Sequence, residues 1–111
     1  MKVIKDGEGE KYEAKRHSGC WSMYKLQSGK DTRRTNVSLS HFLPDGGAEM
    51  SSSPKERVYV VLAGSVKVAG KNEQHILEPG DTIYIAAGEE RAVQVVGTEP
   101  ATILVIITDL E

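Results

Sequence analysis

The 111-residue sequence predicts an all-β fold, and three observations lead there. Short runs rich in Val, Ile, Leu, Tyr and Thr recur from Arg33 onward, and these residues suit a pleated, half-buried surface. Clusters of Gly, Pro, Asp and Asn separate the runs. No window sustains apolar residues at the three-four spacing of an amphipathic helix.

Taken in order, the expected strands are Thr35–Leu43, Arg57–Leu62, Ser65–Val68, Gln74–Leu77, Thr82–Ala86, Arg91–Val96 and Thr102–Thr108. The expected turns are Pro44-Asp45-Gly46-Gly47, Ala63-Gly64, Ala69-Gly70-Lys71-Asn72, Pro79-Gly80-Asp81, Ala87-Gly88 and Gly97 through Pro100. Short strands at this spacing indicate a sandwich or barrel rather than βαβ units. The polar first third is harder to place. Ser22 through Leu26 alternates as one early strand, and Ser28 to Arg34 reads as a mobile loop. Residues 1–32 are therefore taken as an N-terminal extension of the same domain, and residues 33–111 as the barrel.

The bulk properties bound the function. Lys+Arg 14 against Asp+Glu 16 gives a formal net charge of −2. That balance argues against a nucleic-acid partner, which needs a basic face, and against an anionic membrane surface. No apolar stretch reaches the length of a signal peptide or a membrane span. Cys20 is the one cysteine, which excludes an internal disulfide and a cysteine-rich zinc site. The expected location is cytoplasmic. The sequon Asn36-Val37-Ser38 then carries no glycan.

Two segments resemble the cupins. Pro44 through Gly64 is similar to the first cupin motif: a Pro-Gly turn, two histidines one residue apart, a glutamate four further on, then an apolar strand and a glycine. Pro79 through Arg91 is similar to the second: a Pro-Gly-Asp turn, a strand, and a loop leading to one histidine. The resemblance covers about residues 35–108. It implies a double-stranded β-helix, the cupin jelly-roll barrel, whose inner face is available to a ligand. Gly64 and Gly80 stand where tight turns favour backbone angles that a Cβ penalises. Asp81 is placed to bond amides of its own turn.

The departures from the family fall on its metal ligands. Aligned on Gly64, the histidine positions hold Ser51 and Ser53, the glutamate position holds Arg57, and the second-motif histidine position holds Arg91. A serine hydroxyl is a poor ligand for a transition metal, and a protonated guanidinium has no electron pair to give. No metal and no cofactor are expected. Glu56 lies beside the glutamate position, and a one-residue bulge would turn it inward. His17, His41 and His75 are scattered, and alternation puts His41 on the face opposite Ser38 and Ser40.

On this alignment Ser38, Ser40, Ser51, Ser53, Arg57, Tyr59 and Arg91 line the pocket, with Ile103, Val105 and Ile107 as its apolar wall. Two guanidiniums over hydroxyls suit a carboxylate or phosphate. A plainer reading pairs Arg57 with Glu49 or Glu56, and Arg91 with Glu89 or Glu90, as rim contacts of little energy. Tyr59 is a candidate acid or base, or else an aromatic filling the barrel with its hydroxyl bonded. Cys20 and Trp21 are read as core or interface. Nothing resembles a nucleophile elbow.

Three functions fit. The first is a metal-independent cupin that binds a small anionic metabolite, as a sensor, carrier or accessory protein. The second is a metal-independent isomerase, epimerase or lyase working in the same pocket. The third is a metal-dependent oxygenase with unusual ligands. Small members of the family are often homodimers, so a second copy is the expected partner, joined by sheet packing or exchange of N-terminal strands.

Overall fold

The computed structural model describes residues 1–110. Nine antiparallel strands form, and no helix among the described residues. They are β1 (Glu10–Tyr12), β2 (His17–Leu26), β3 (Thr35–Ser51), β4 (Glu56–Ala63), β5 (Val66–Ala69), β6 (Gln74–Leu77), β7 (Thr82–Ile85), β8 (Arg91–Val95) and β9 (Ala101–Thr108). Hydrogen bonds connect them in the order β6-β5-β8-β3-β9-β4-β7, with β2 on the other edge of β3 and β1 beyond it.

The seventeen-residue β3 organises the barrel. Its first half pairs with β9, from Thr35↔Thr108 to Phe42↔Ala101. Its second half pairs with β8, from Gly47↔Gln94 to Ser51↔Arg91. One strand thus passes from one sheet into the other, and the two sheets curl around a shared core of Phe42, Val61, Val66, Val68, Val93, Val95 and Ile103. Among the described residues, no helix is long and apolar enough to cross a membrane.

Pro44-Asp45-Gly46-Gly47 is not the expected turn. The strand runs straight through it, with Gly46 and Gly47 buried. The reason is close approach on both edges. A Cβ at Gly46 would stand 2.4 Å from the Gly19 carbonyl of β2, and one at Gly47 would stand 2.5 Å from the Val93 carbonyl of β8. These glycines let three strands crowd together. By contrast, Pro79-Gly80-Asp81 is the expected turn: Gly80 has φ +94°, and the Glu78 amide donates to the Asp81 carboxylate at 2.8 Å.

The early strand is longer than its sequence pattern, because β2 borrows order from β3 along most of its length. Gln27 to Asn36 is tied down rather than loose. The Gln27 carbonyl accepts from the Asp31 amide at 2.8 Å, the Ser28 amide donates to Asn36 at 2.9 Å, and the Ser28 hydroxyl donates to Asp109. Asp109 also pairs with Lys55 at 2.9 Å. These two donors, Ser28 first, hold the Asp109 carboxyl below its ordinary pKa.

Candidate functional site

Alternation along β3, β4 and β9 decides what faces the barrel interior. Ser38, Ser40 and Phe42 turn inward and are buried. Arg57 and Tyr59 follow on β4, where Tyr59 pairs with Val105 and Arg57 with Ile107. All of these but Ser38 border a cavity of about 350 Å³. Ser40, Arg57 and Tyr59 line it, and Ile103, Val105 and Ile107 form an aliphatic stripe, as the sequence predicts.

The arginines part company. No carboxylate among the described residues lies within ion-pair distance of Arg57. The expected pairing with Glu56 does not form, because Glu56 faces the outside and accepts from the Tyr84 hydroxyl at 3.1 Å. That outward position also removes Glu56 as a metal ligand. Arg91 instead is engaged through Nη1 and Nε. Its Nη1 donates to the Ser51 carbonyl at 2.7 Å and the Ser51 hydroxyl at 3.0 Å, and its Nε donates to the Tyr59 hydroxyl at 3.2 Å. Glu89 does not pair with Arg91, but accepts from the Ala86 amide at 3.0 Å.

The other predicted residues scatter. Arg91 borders a second cavity of about 270 Å³, with Glu73, His75 and Glu89 at its mouth. The two guanidiniums therefore do not share one pocket: Tyr59 lines the first cavity, Arg91 lines the second, and their hydrogen bond lies between them. Ser38 is spent accepting from the Tyr12 hydroxyl at 3.2 Å. Ser40 shares a hydrogen bond of 2.9 Å with Ser22. Ser53 accepts from the Lys55 amide at 3.2 Å and shapes its own turn.

These donors do not fit a transition metal. Ser51 and Arg91 do meet, as the family's ligand positions require, but they meet as a hydroxyl and a cation. Among the described residues, no three of His, Cys, Asp and Glu are grouped to hold a metal ion. His75 bonds Glu73 at 2.7 Å on the surface. His41 lies on the outer face, as alternation predicts, where it stacks on Trp21 with ring centroids 4.9 Å apart.

Sequence reasoning missed the strap that borders the first cavity. It consists of Tyr12, the last residue of β1, and residues 13–16, which connect β1 to β2, and Tyr12, Glu13 and Lys15, with His17 beyond them, reach the lining. The strap is held at both ends. The Tyr12 ring stacks on Tyr24 at 4.0 Å, and the Glu49 amide donates to the Arg16 carbonyl at 2.8 Å. Arg16 has φ +60°, a left-handed conformation rare outside glycine. Burial pushes the Tyr24 phenol up, with Tyr12 adding to the effect. The available signal was two tyrosines in an otherwise polar segment, but only the pairing of Tyr12 with Ser22 brings them together. Burial likewise pushes the Cys20 thiol up, outweighing its bond to Ser22, which keeps it protonated and unreactive.

A small double-stranded β-helix with a cavity opening from its interior defines the class. The cupin-domain model matches residues 38–107, and the chain belongs to that family. It is similar to a protein named β-D-galactosidase Rv1717 from Mycobacterium tuberculosis, 32% identical over 110 residues, covering 96% of this chain and 93% of the relative. Among solved structures it superposes on a protein described as a predicted oxalate decarboxylase from Thermotoga maritima, with TM-score 0.85, 14% identity, and coverage of 98% and 100%. It also superposes on the polyketide cyclase RemF from Streptomyces resistomycificus, with TM-score 0.84, 16% identity, and coverage of 97% and 79%. Both structural matches carry the fold alone.

Proposed function

We propose that the cavity beneath the strap binds a small, anionic, partly apolar metabolite without a metal, and that the protein serves as a sensor, carrier or accessory protein. One observation carries this reading: Arg57 borders the cavity and has no carboxylate partner within ion-pair distance among the described residues. A guanidinium there offers forked donors to a carboxylate or phosphate. The test is calorimetric titration with a panel of small carboxylates and inorganic phosphate, on the native protein and on Arg57→Gln. A charged hydrogen bond contributes about 1.5–3 kcal/mol, so affinity is expected to fall about ten- to a hundredfold in the variant. Equal affinities would remove the proposal.

A second reading is an enzyme that acts on a sugar, and the relative named β-D-galactosidase favours it. Glycosidases ordinarily flank the scissile bond with two carboxylates. This cavity is lined by one, Glu13, which places the reading second. Turnover of a nitrophenyl β-galactoside that disappears in Glu13→Gln would raise it to first.

For the partner we propose a second copy, seated on the outer face of the sheet β2-β3-β9-β4-β7. One cross-strand row there reads Met23, Leu39, Leu104, Val60 and Thr82, and the next reads Val37, Ile106, Val58 and Tyr84. Neither row carries a charged side chain, with Glu56 reaching Tyr84 at one edge, and a mostly apolar face turned by a two-fold axis matches itself. Sedimentation equilibrium is expected to give a dimer that Leu104→Lys converts to a monomer. A monomeric native protein would end the proposal.

A further inference from the structure

The chain has six aromatic residues by the count of Phe, Trp and Tyr. Four of them, Tyr12, Tyr24, Phe42 and Tyr59, line the one cavity that also holds Arg57. A fifth ring belongs to His17, which stacks on Phe42 with centroids 6.1 Å apart and planes 22° from parallel. The aliphatic stripe of β9 adds an apolar wall, and Glu13 and Lys15 also reach the lining. Phe42 and Tyr59 belong to a core that is otherwise aliphatic, and both also border the cavity, where Tyr12 and Tyr24 join them. The strap repeats the pattern, because it contributes a ring and keeps it in place: Tyr12 stacks on Tyr24 and bonds Ser38.

We infer that the ligand is a planar aromatic carboxylate, its acid group on Arg57 and its ring among the tyrosines, with Tyr12 of the strap setting the preference for a ring. This rests on the reading of Arg57 as the anion-binding group. Aromatic faces favour offset-stacked or edge-to-face rings over saturated ones. The volume, about 350 Å³, lies at the low end of small-molecule sites, which run from about 300 to 1,000 Å³. The one serine in the lining, Ser40, already shares a hydrogen bond with Ser22.

The experiment is a calorimetric comparison of benzoate, cyclohexanecarboxylate, benzyl alcohol and galacturonate on the full chain. Benzoate is expected to bind about three- to tenfold tighter than cyclohexanecarboxylate, and benzyl alcohol and galacturonate more weakly than both. Tyr12→Leu should abolish the difference between the two carboxylates, and Tyr12→Phe, which keeps the ring and loses the bond to Ser38, should retain it. Circular dichroism shows that each variant is folded. Equal binding of the two carboxylates would overturn the inference and leave Arg57 as an anion site. Benzyl alcohol binding as tightly as benzoate would overturn the Arg57 reading itself. Galacturonate binding tightest would replace the aromatic acid with a sugar acid. Binding of none of the four would end both readings, and a ring preference surviving in Tyr12→Leu would remove the strap from the site.

Discussion

Arg57 and Arg91 each stand at a metal-ligand position of the two sequence motifs, yet their surroundings give them opposite work. Arg91 is half-buried with three donated hydrogen bonds, two to Ser51 and one to Tyr59, and it stitches β8 to β3 and β4. Arg57 borders a cavity, and among the described residues no carboxylate lies within ion-pair distance of it. The difference teaches that residue type and motif position do not assign a role. What assigns it is whether the neighbouring acceptors leave the donors free. A guanidinium whose donors are occupied is a structural clip. One that faces space lined by rings and aliphatic side chains offers its charge to something else.

The sharpest way to break this comparison is Arg91→Gln. Losing a charged donor set is expected to cost about 1.5–3 kcal/mol of unfolding free energy in urea. Stability as high as that of the native protein would make Arg91 a free group like Arg57. Next in size, Tyr59→Phe removes the acceptor of the Arg91 Nε and should cost about 0.5–1.5 kcal/mol. Combining the two changes should cost less than their sum, because both break the same bond, and a double-mutant cycle reads that coupling. Arg57→Gln is expected to stay within about 0.5 kcal/mol of native stability while ligand affinity falls. The smallest effect concerns a third kind of charged group, one tied on the surface. Asp109 has its carboxyl pKa lowered by Ser28 and Lys55, so it stabilises the fold above the ordinary carboxylate pKa of about 3.9 and loses that contribution as pH falls below it. In Asp109→Asn, acid unfolding followed by circular dichroism should show a shallower dependence on pH below about 4.

Most of the barrel was legible because its information is local. Gln74–Leu77 is the strand the sequence pattern outlines; β7, β8 and β9 depart from their expected limits by one residue at one end, and β4 and β5 by one residue at each end. Gly80 and Asp81 make their turn with their own atoms. Pro44 to Gly47 misled for the opposite reason: these glycines serve strands far away in sequence rather than a turn of their own. The cavity was legible by half. Ser40, Arg57, Tyr59 and the β9 stripe follow from alternation once the family frame is set. Tyr12, Lys15, His17 and Tyr24 do not, because their approach depends on how an N-terminal hairpin lies over β3. The destination of the Arg91 donors was equally hidden, since side-chain direction beyond Cβ is set by neighbours that strand spacing does not reveal.

The position of β9 has a consequence for how the chain comes to be folded. It comes last of the nine strands in chain order, yet it lies between β3 and β4 and supplies hydrogen bonds to both. A nascent chain emerging from a ribosome presents β3 and β4 with unsatisfied facing edges until β9 has been made. Closure therefore waits for β9 and demands pairing between strands far apart in sequence, which is the slow kind of folding. During that interval the open edges invite neighbours, so crowded translation of this message is where aggregation, or help from a chaperone, is to be looked for.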